Sequence, residues 1–153
     1  MSLHTAALSR EPAALAHAGI VAFPPGTATM AERDVLDTTL AMRHAGIRRL
    51  RIGWELQGAQ DAPVIVVQGG ISAHRHVAAG ARFAEPGWGD AQCGEGRAID
   101  TRHHRILAID WIGADGSLDA CIDPADPADA IAAVLAHLGI VRVTAFIGAS
   151  YGA

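Results

Sequence analysis

The 153-residue sequence contains neither lysine nor asparagine, and all 12 of its basic residues are arginine. We read this as biased codon usage in an Ala- and Gly-rich proteome rather than as a functional signal. Charge of either sign is scarce: 18% of residues are charged against 50% hydrophobic, and mean hydropathy is +0.22. Such a chain is long and apolar enough to order itself around a core, which excludes intrinsic disorder. The formal net charge is −4 and the isoelectric point is near 6.0, so no positive excess exists to hold nucleic acid or an anionic membrane. Only two cysteines occur, Cys93 and Cys121. They form neither a metal-ligand spacing nor a disulfide framework, and a reducing cytoplasm is the simplest setting. The small-residue apolar run at residues 13–23 is broken by His17 and preceded by Arg10-Glu11. It is too short to span a bilayer and lacks a basic leader, so we expect neither signal nor anchor.

Two regions are expected. Residues 1–29 form an irregular lead-in containing the break Pro24-Pro25-Gly26, and residues 30–153 form one domain. Leu36, Thr38, Leu40 and Met42 alternate with polar or small neighbours, and His44-Ala45-Gly46 can turn. Leu50, Ile52, Trp54 and Leu56 then alternate with Arg49, Arg51, Gly53 and Glu55. This period of two predicts an antiparallel hairpin with one face solvated. After Pro63 the pattern changes. Val64-Ile65-Val66-Val67, residues 105–110 and residues 141–147 are continuous apolar runs, as parallel strands buried on both faces require. Between the last two, Ile131, Val134, Leu135 and Leu138 share one helical stripe. Asp126 can cap this helix, Pro127 and Asp129 suit its first turn, and Gly139 ends it. The class is α/β, an antiparallel hairpin leading into a mainly parallel sheet.

The last run leads directly into Gly148-Ala149-Ser150-Tyr151-Gly152, a G-x-S-x-G sequence in the strand context of a nucleophile elbow. Five serines and 17 glycines would produce roughly 0.06 such matches by chance, before the strand is considered. Ser150 is therefore the candidate nucleophile of an α/β-hydrolase fold. Its tetrahedral intermediate needs backbone donors. One is the N–H of Tyr151, directly after the nucleophile. The other belongs to the loop after an earlier strand, here Gln68-Gly69-Gly70-Ile71-Ser72, where Ile71 is the best single donor.

No base is assigned. In this fold the acid and the histidine follow the serine, and only Tyr151, Gly152 and Ala153 follow Ser150. His74 and His76, with Arg75, are read as a solvated basic loop, and His103-His104 as surface. Asp100, Asp110, Asp115, Asp119 and Asp123 are scattered without a metal-binding spacing, so no metal is expected.

These residues resemble the homoserine O-acyltransferase family of the α/β-hydrolase superfamily, from near Leu36 to the end of the chain. The most specific stretch is Pro86-Gly87-Trp88-Gly89-Asp90, followed by Gly94 and Gly96 and by Ala98-Ile99-Asp100-Thr101. Family members carry a similar P-G-W-W-D, a glycine pair and A-I-D-T. His137-Leu138-Gly139-Ile140 is similar to the family's D-H-L-G-I. Three stretches depart from the pattern. The family's H-A-L-T-G reads Gly69-Gly70-Ile71-Ser72-Ala73, its N-x-x-G-G is shortened to Asp110-Trp111-Ile112-Gly113, and its G-G-S-M-G is Gly148-Ala149-Ser150-Tyr151-Gly152.

The resemblance implies ping-pong transfer through an acyl-serine. Acetyl- or succinyl-coenzyme A would be the co-substrate, with no permanently bound cofactor, and homoserine or serine the acceptor, in methionine or cysteine synthesis. It implies a homodimer, and it matches Ile71 to an oxyanion-hole position. It also implies that the chain is the family's N-terminal portion, completed by a second chain or a C-terminal segment that carries the triad's acid and base. Two alternatives stay open: an esterase passing the acyl group to water, and an inactive fragment.

Overall fold

The computed structural model describes residues 29–153. The expected lead-in and the apolar run at residues 13–23 lie outside those residues, apart from Thr29, which opens the first strand. Strands β1 (Thr29–Met42) and β2 (Gly46–Ala59) form a long antiparallel hairpin, in register from Met42 opposite Gly46 to Thr29 opposite Ala59. Gly46 closes the turn at φ +65°, a conformation open to glycine without a Cβ clash. The hairpin extends well beyond the segments whose alternation predicted it.

Three strands continue the sheet: β3 (Val64–Gln68), β6 (Arg105–Ile109) and β7 (Ala145–Gly148). The order is β1-β2-β6-β3-β7, with β2 antiparallel to β6, and β3 parallel to both β6 and β7. A small parallel pair, β4 (Cys93–Gly94) and β5 (Ile99–Asp100), lies apart. Because side chains alternate along a strand, β3 and β6 feed two cores. Val64, Val66, Leu107 and Ile109 pack with Ala130, Ile131 and Val134 of helix α1 (Ala125–His137). Ile65, Val67, Ile106 and Ala108 pack with Val77, Ala78, Cys93 and Ile99. The two buried runs thus lie at the centre of an α/β layer structure, as expected. Among the described residues no helix is long and apolar enough to cross a membrane.

Three sequence expectations are corrected. First, residues 141–147 are not a strand buried on both faces. The strand begins only at Ala145, while Val141 is fully exposed and Phe146 and Ile147 are 53% and 40% exposed. Among the described residues, β7 pairs only with β3 and is an edge. Second, Asp126 does not cap α1. The helix starts at Ala125, and the buried Asp126 carboxylate instead accepts the N–H groups of Arg43 (2.9 Å) and Asp123 (2.8 Å). It thereby ties the hairpin turn to the helix start, where the helix dipole favours a negative charge.

Third, neither Glu55 nor His76 is solvated: they are 2% and 4% exposed. The His76 Nδ1–H donates to Glu55 Oε1 (2.9 Å) and its Nε2–H to the Glu85 carbonyl (2.8 Å). Arg33 Nε donates to Glu55 Oε2 (2.7 Å), and its Nη2 to Glu85 Oε1 (2.7 Å). A buried carboxylate is tolerable only with such partners. Burial opposes charge on His76, but the Glu85 carbonyl and the Glu55 carboxylate outweigh it and hold the imidazole above its ordinary pKa. A raised folded-state pKa contributes stability that is fully present below the unfolded value near 6.5 and is lost as pH rises through the folded value. The urea midpoint of the wild type should therefore fall as pH is raised from about 6 into the alkaline range. His76→Gln should start lower and show a flatter profile; parallel profiles would refute the coupling.

Candidate functional site

The chain leaves β7 at Gly148, passes through the extended Ala149 and turns sharply at Ser150, where φ is +56°. A serine in this left-handed region is strained by its Cβ, at a cost of about 1–2 kcal/mol. A single 3-10 turn follows over Ser150–Gly152, with the Gly152 N–H donating to the Ala149 carbonyl (3.0 Å). The flanking glycines are sterically required. A β-carbon on Gly148 would overlap the Gly152 carbonyl oxygen, and one on Gly152 would lie 2.6 Å from the Gln68 carbonyl oxygen and 2.7 Å from that of Gly69. The Ala149 N–H donates to the Gln68 carbonyl (3.0 Å), stitching the elbow to the end of β3.

The loop after β3 lies alongside. A β-carbon placed on Gly70 would be 3.8 Å from Ser150 Cβ and 3.9 Å from its Oγ. The structure therefore brings together the elbow serine and the glycine loop, 80 positions apart in sequence. Ile71 is exposed at the rim of a groove of about 480 Å³, lined also by Ser72, His74, Arg75, Asp110 and Trp111. Among the described residues the N–H groups of Ile71 and Tyr151 donate to no protein acceptor. One unspent donor thus directly follows the strained serine, and the other directly follows Gly70.

Among the described residues no histidine hydrogen-bonds Ser150. His74 Nδ1 accepts the His76 N–H (3.2 Å), His44 pairs with Asp123 (3.2 Å), and His137 meets the Trp54 ring edge-on. His103 and His104 are half-buried rather than at the surface. Cys93 is no rival nucleophile, because burial and then the nearby Asp90 push its thiol up to about 11. Among the described residues no three His, Cys, Asp or Glu side chains gather as a metal site would require.

The stretches most specific in sequence turn out to be scaffolding. The Asp90 carboxylate accepts the N–H groups of Ala79 (2.7 Å) and Gly87 (3.0 Å), and Gly87 passes so close to Val77 that a β-carbon would overlap its carbonyl. Trp88 Nε1 donates to the His74 carbonyl (2.7 Å), holding the segment just after the glycine loop. Asp100 is held well below the usual carboxylate range by Arg102, whose Nη2 donates to it at 2.5 Å. Sequence reading missed Trp111. Its indole N–H donates to the Gly70 carbonyl (2.9 Å), and its ring meets that of Tyr151 edge-on, with centroids 4.9 Å apart. The available signal was its place two residues beyond a buried parallel strand, at the carboxyl edge where α/β sheets carry their sites.

No protein-family model matches the chain. It is 59% identical over 123 residues to a homoserine O-succinyltransferase of Xanthomonas campestris pv. campestris, covering 80% of this chain and 33% of that protein. It is 33% identical over 138 residues to a serine O-succinyltransferase of Xanthomonas campestris pv. campestris strain B100, covering 76% of this chain and 36% of that protein. The chain thus spans about a third of the length of the curated relatives it matches. Among solved structures, esterase E22 superposes with a TM-score of 0.67 at 23% identity, over 80% of this chain and 42% of the esterase. A homoserine O-acetyltransferase from Bacillus anthracis superposes with a TM-score of 0.65 at 22% identity, over 81% of this chain and 40% of that one. At these identities the structural likenesses establish the α/β-hydrolase fold and nothing finer.

Proposed function

The chain belongs to the homoserine O-acyltransferase family, and on that footing we propose that it is that family's N-terminal portion and that Ser150 carries an acyl group from acyl-coenzyme A to the hydroxyl of homoserine. The observation that carries this reading is the strained Ser150 at the end of a parallel strand, facing Gly70 of the glycine loop, where an added β-carbon would come into ordinary contact with it. Ser150 Oγ attacks the thioester carbonyl, and the resulting oxyanion is received by the N–H groups of Ile71 and Tyr151. The C–S bond breaks, coenzyme A leaves as its protonated thiol, and an acyl-serine remains. The homoserine hydroxyl then attacks the ester, loses its proton and departs as the O-acyl product, restoring Ser150.

Each half-reaction needs a base to take the hydroxyl proton and return it to the leaving group. In this proposal the base and its acid come from a polypeptide segment, on this or a second chain, that pairs with the edge of β7. The position of β7 at the end of the strand order supports it, since an unpaired strand edge invites a further strand. Succinyl-coenzyme A is the favoured donor, because both curated relatives described above are named as succinyltransferases. Homoserine is the favoured acceptor, because the relative at 59% identity is named for it. The free Cys93 and Cys121 support a cytoplasmic setting.

Coenzyme A release tests the proposal. With succinyl-coenzyme A as donor, homoserine should raise the rate roughly tenfold or more over water alone, since a site built to bind a hydroxylated acceptor favours it strongly. O-succinylhomoserine should appear. A rate indifferent to homoserine and serine, with free succinate as product, would make the protein a hydrolase.

A further inference from the structure

Trp111 contacts both segments that would supply oxyanion donors, the loop after β3 and the elbow. It follows the carboxyl end of β6, is buried, and touches both halves of the proposed oxyanion hole while contributing no donor to it. Its Nε1–H donates to the carbonyl of Gly70 (2.9 Å), which is the carbonyl of the very peptide whose N–H belongs to Ile71. In a planar trans peptide the C=O and N–H point in opposite directions. Holding the Gly70 oxygen on the Trp111 side therefore turns the Ile71 N–H away from Trp111. The same oxygen also accepts the Ala73 N–H (2.9 Å), which pins the peptide from a second direction. On its other side, the Trp111 ring meets the Tyr151 ring at 4.9 Å and 88°, an edge-to-face contact that fixes the residue supplying the second donor.

Resting on the reading of Ser150 as nucleophile, we infer that Trp111 is the positioning residue of the oxyanion hole: it sets the Gly70–Ile71 peptide and the Tyr151 backbone relative to each other, so that two donors from loops far apart in sequence converge on one oxygen. Preorganisation of this kind is what makes such donors effective, because they need not reorient as charge develops. Glycine at position 70 suits the role, since with no side chain of its own it leaves the peptide's orientation to its partners.

The test uses the catalytically competent protein carrying this chain, in four forms: wild type, Ser150→Ala, Trp111→Phe, and a form with 3-benzothienylalanine at position 111, which keeps the shape of tryptophan but replaces the N–H by sulfur. Three quantities are read: kcat, KM for succinyl-coenzyme A, and the inhibition constant of an alkyl boronic acid, whose tetrahedral serine adduct carries an oxygen in the oxyanion position. Removing an entire oxyanion donor costs about 10²–10³ in kcat, so loosening one should cost about 10–100-fold. Boronate affinity should fall by the same factor, with KM little changed. A merely structural role would lower the melting temperature without this matched loss of kcat and boronate affinity. If Trp111→Phe does not fold, the isosteric benzothienylalanine protein decides. Wild-type kcat and boronate affinity in a folded form lacking the indole N–H would overturn the inference while leaving Ser150 as nucleophile. Unchanged turnover in Ser150→Ala would overturn the nucleophile reading, and the role of Trp111 with it.

Discussion

Replacing Ser150 by alanine should reduce acyl transfer by roughly 10⁴–10⁶-fold, because the covalent route disappears and only binding and the oxyanion donors remain. Mass spectrometry of the wild type mixed with succinyl-coenzyme A alone should find the acyl adduct on the peptide containing Ser150. Acylation elsewhere, or unchanged turnover in the alanine variant, would reject the assignment. A companion substitution separates chemistry from strain. At φ +56° both serine and alanine bear the Cβ penalty of about 1–2 kcal/mol, whereas glycine does not. Glycine also carries about 0.5–1 kcal/mol of extra unfolded-state entropy, which offsets part of the relief. Ser150→Gly should thus be as inactive as Ser150→Ala and yet unfold at the same or a higher urea concentration. Greater stability on loss of the functional side chain would mark the strain as a feature of the site.

The second large effect is expected at Gly148. A methyl group there has no room, since it would overlap the Gly152 carbonyl oxygen and lie 2.7 Å from Ala153 Cα. These are backbone atoms, which cannot swing aside as the end of a flexible side chain can. Gly148→Ala should force the turn after Ser150 open, costing about 1–3 kcal/mol of stability. Turnover should fall on the order of 10²-fold or more, because a displacement of about 1 Å at a reacting atom is worth that much. Gly70→Ala is the matched control for stability, because its new methyl would find only ordinary contacts with Ser150 at 3.8 and 3.9 Å. If Gly148→Ala is as stable and as active as the wild type, the elbow is not sterically locked as described.

Features that depend on neighbouring residues were legible in the chain itself. The hairpin showed as a period of two, and the β3 and β6 runs as unbroken apolar stretches. The elbow showed as small residues around a serine, because only they can make that turn. Their chemistry is local: a strand's exposure sets its alternation, and a left-handed turn sets its glycines. Residues 141–147 share the composition of β3 and β6, yet β7 lies exposed, because composition records what a strand is suited to pack against and not what surrounds it. Glu55 is the reverse case. Its place in an alternating strand predicted solvent, and its burial became acceptable only through Arg33 and His76, which stand 22 and 21 positions away. Each is an ordinary polar residue in its own segment.

The site divides along the same line. Ser150, Tyr151 and the glycine loop announce themselves through backbone geometry that few residue types can adopt, so motif and strand context sufficed to nominate them. That the loop lies against the serine depends on β3 pairing with β7, and a one-dimensional pattern carries no strand order. Trp111 needed still more. Its indole N–H reaches a carbonyl 41 positions away, and its ring reaches the elbow, only because β6 lies beside β3 and ends at the same edge of the sheet. A hydrogen bond between distant segments leaves no periodicity in either, so its existence is set by the packing of the sheet and not by the residues around the tryptophan.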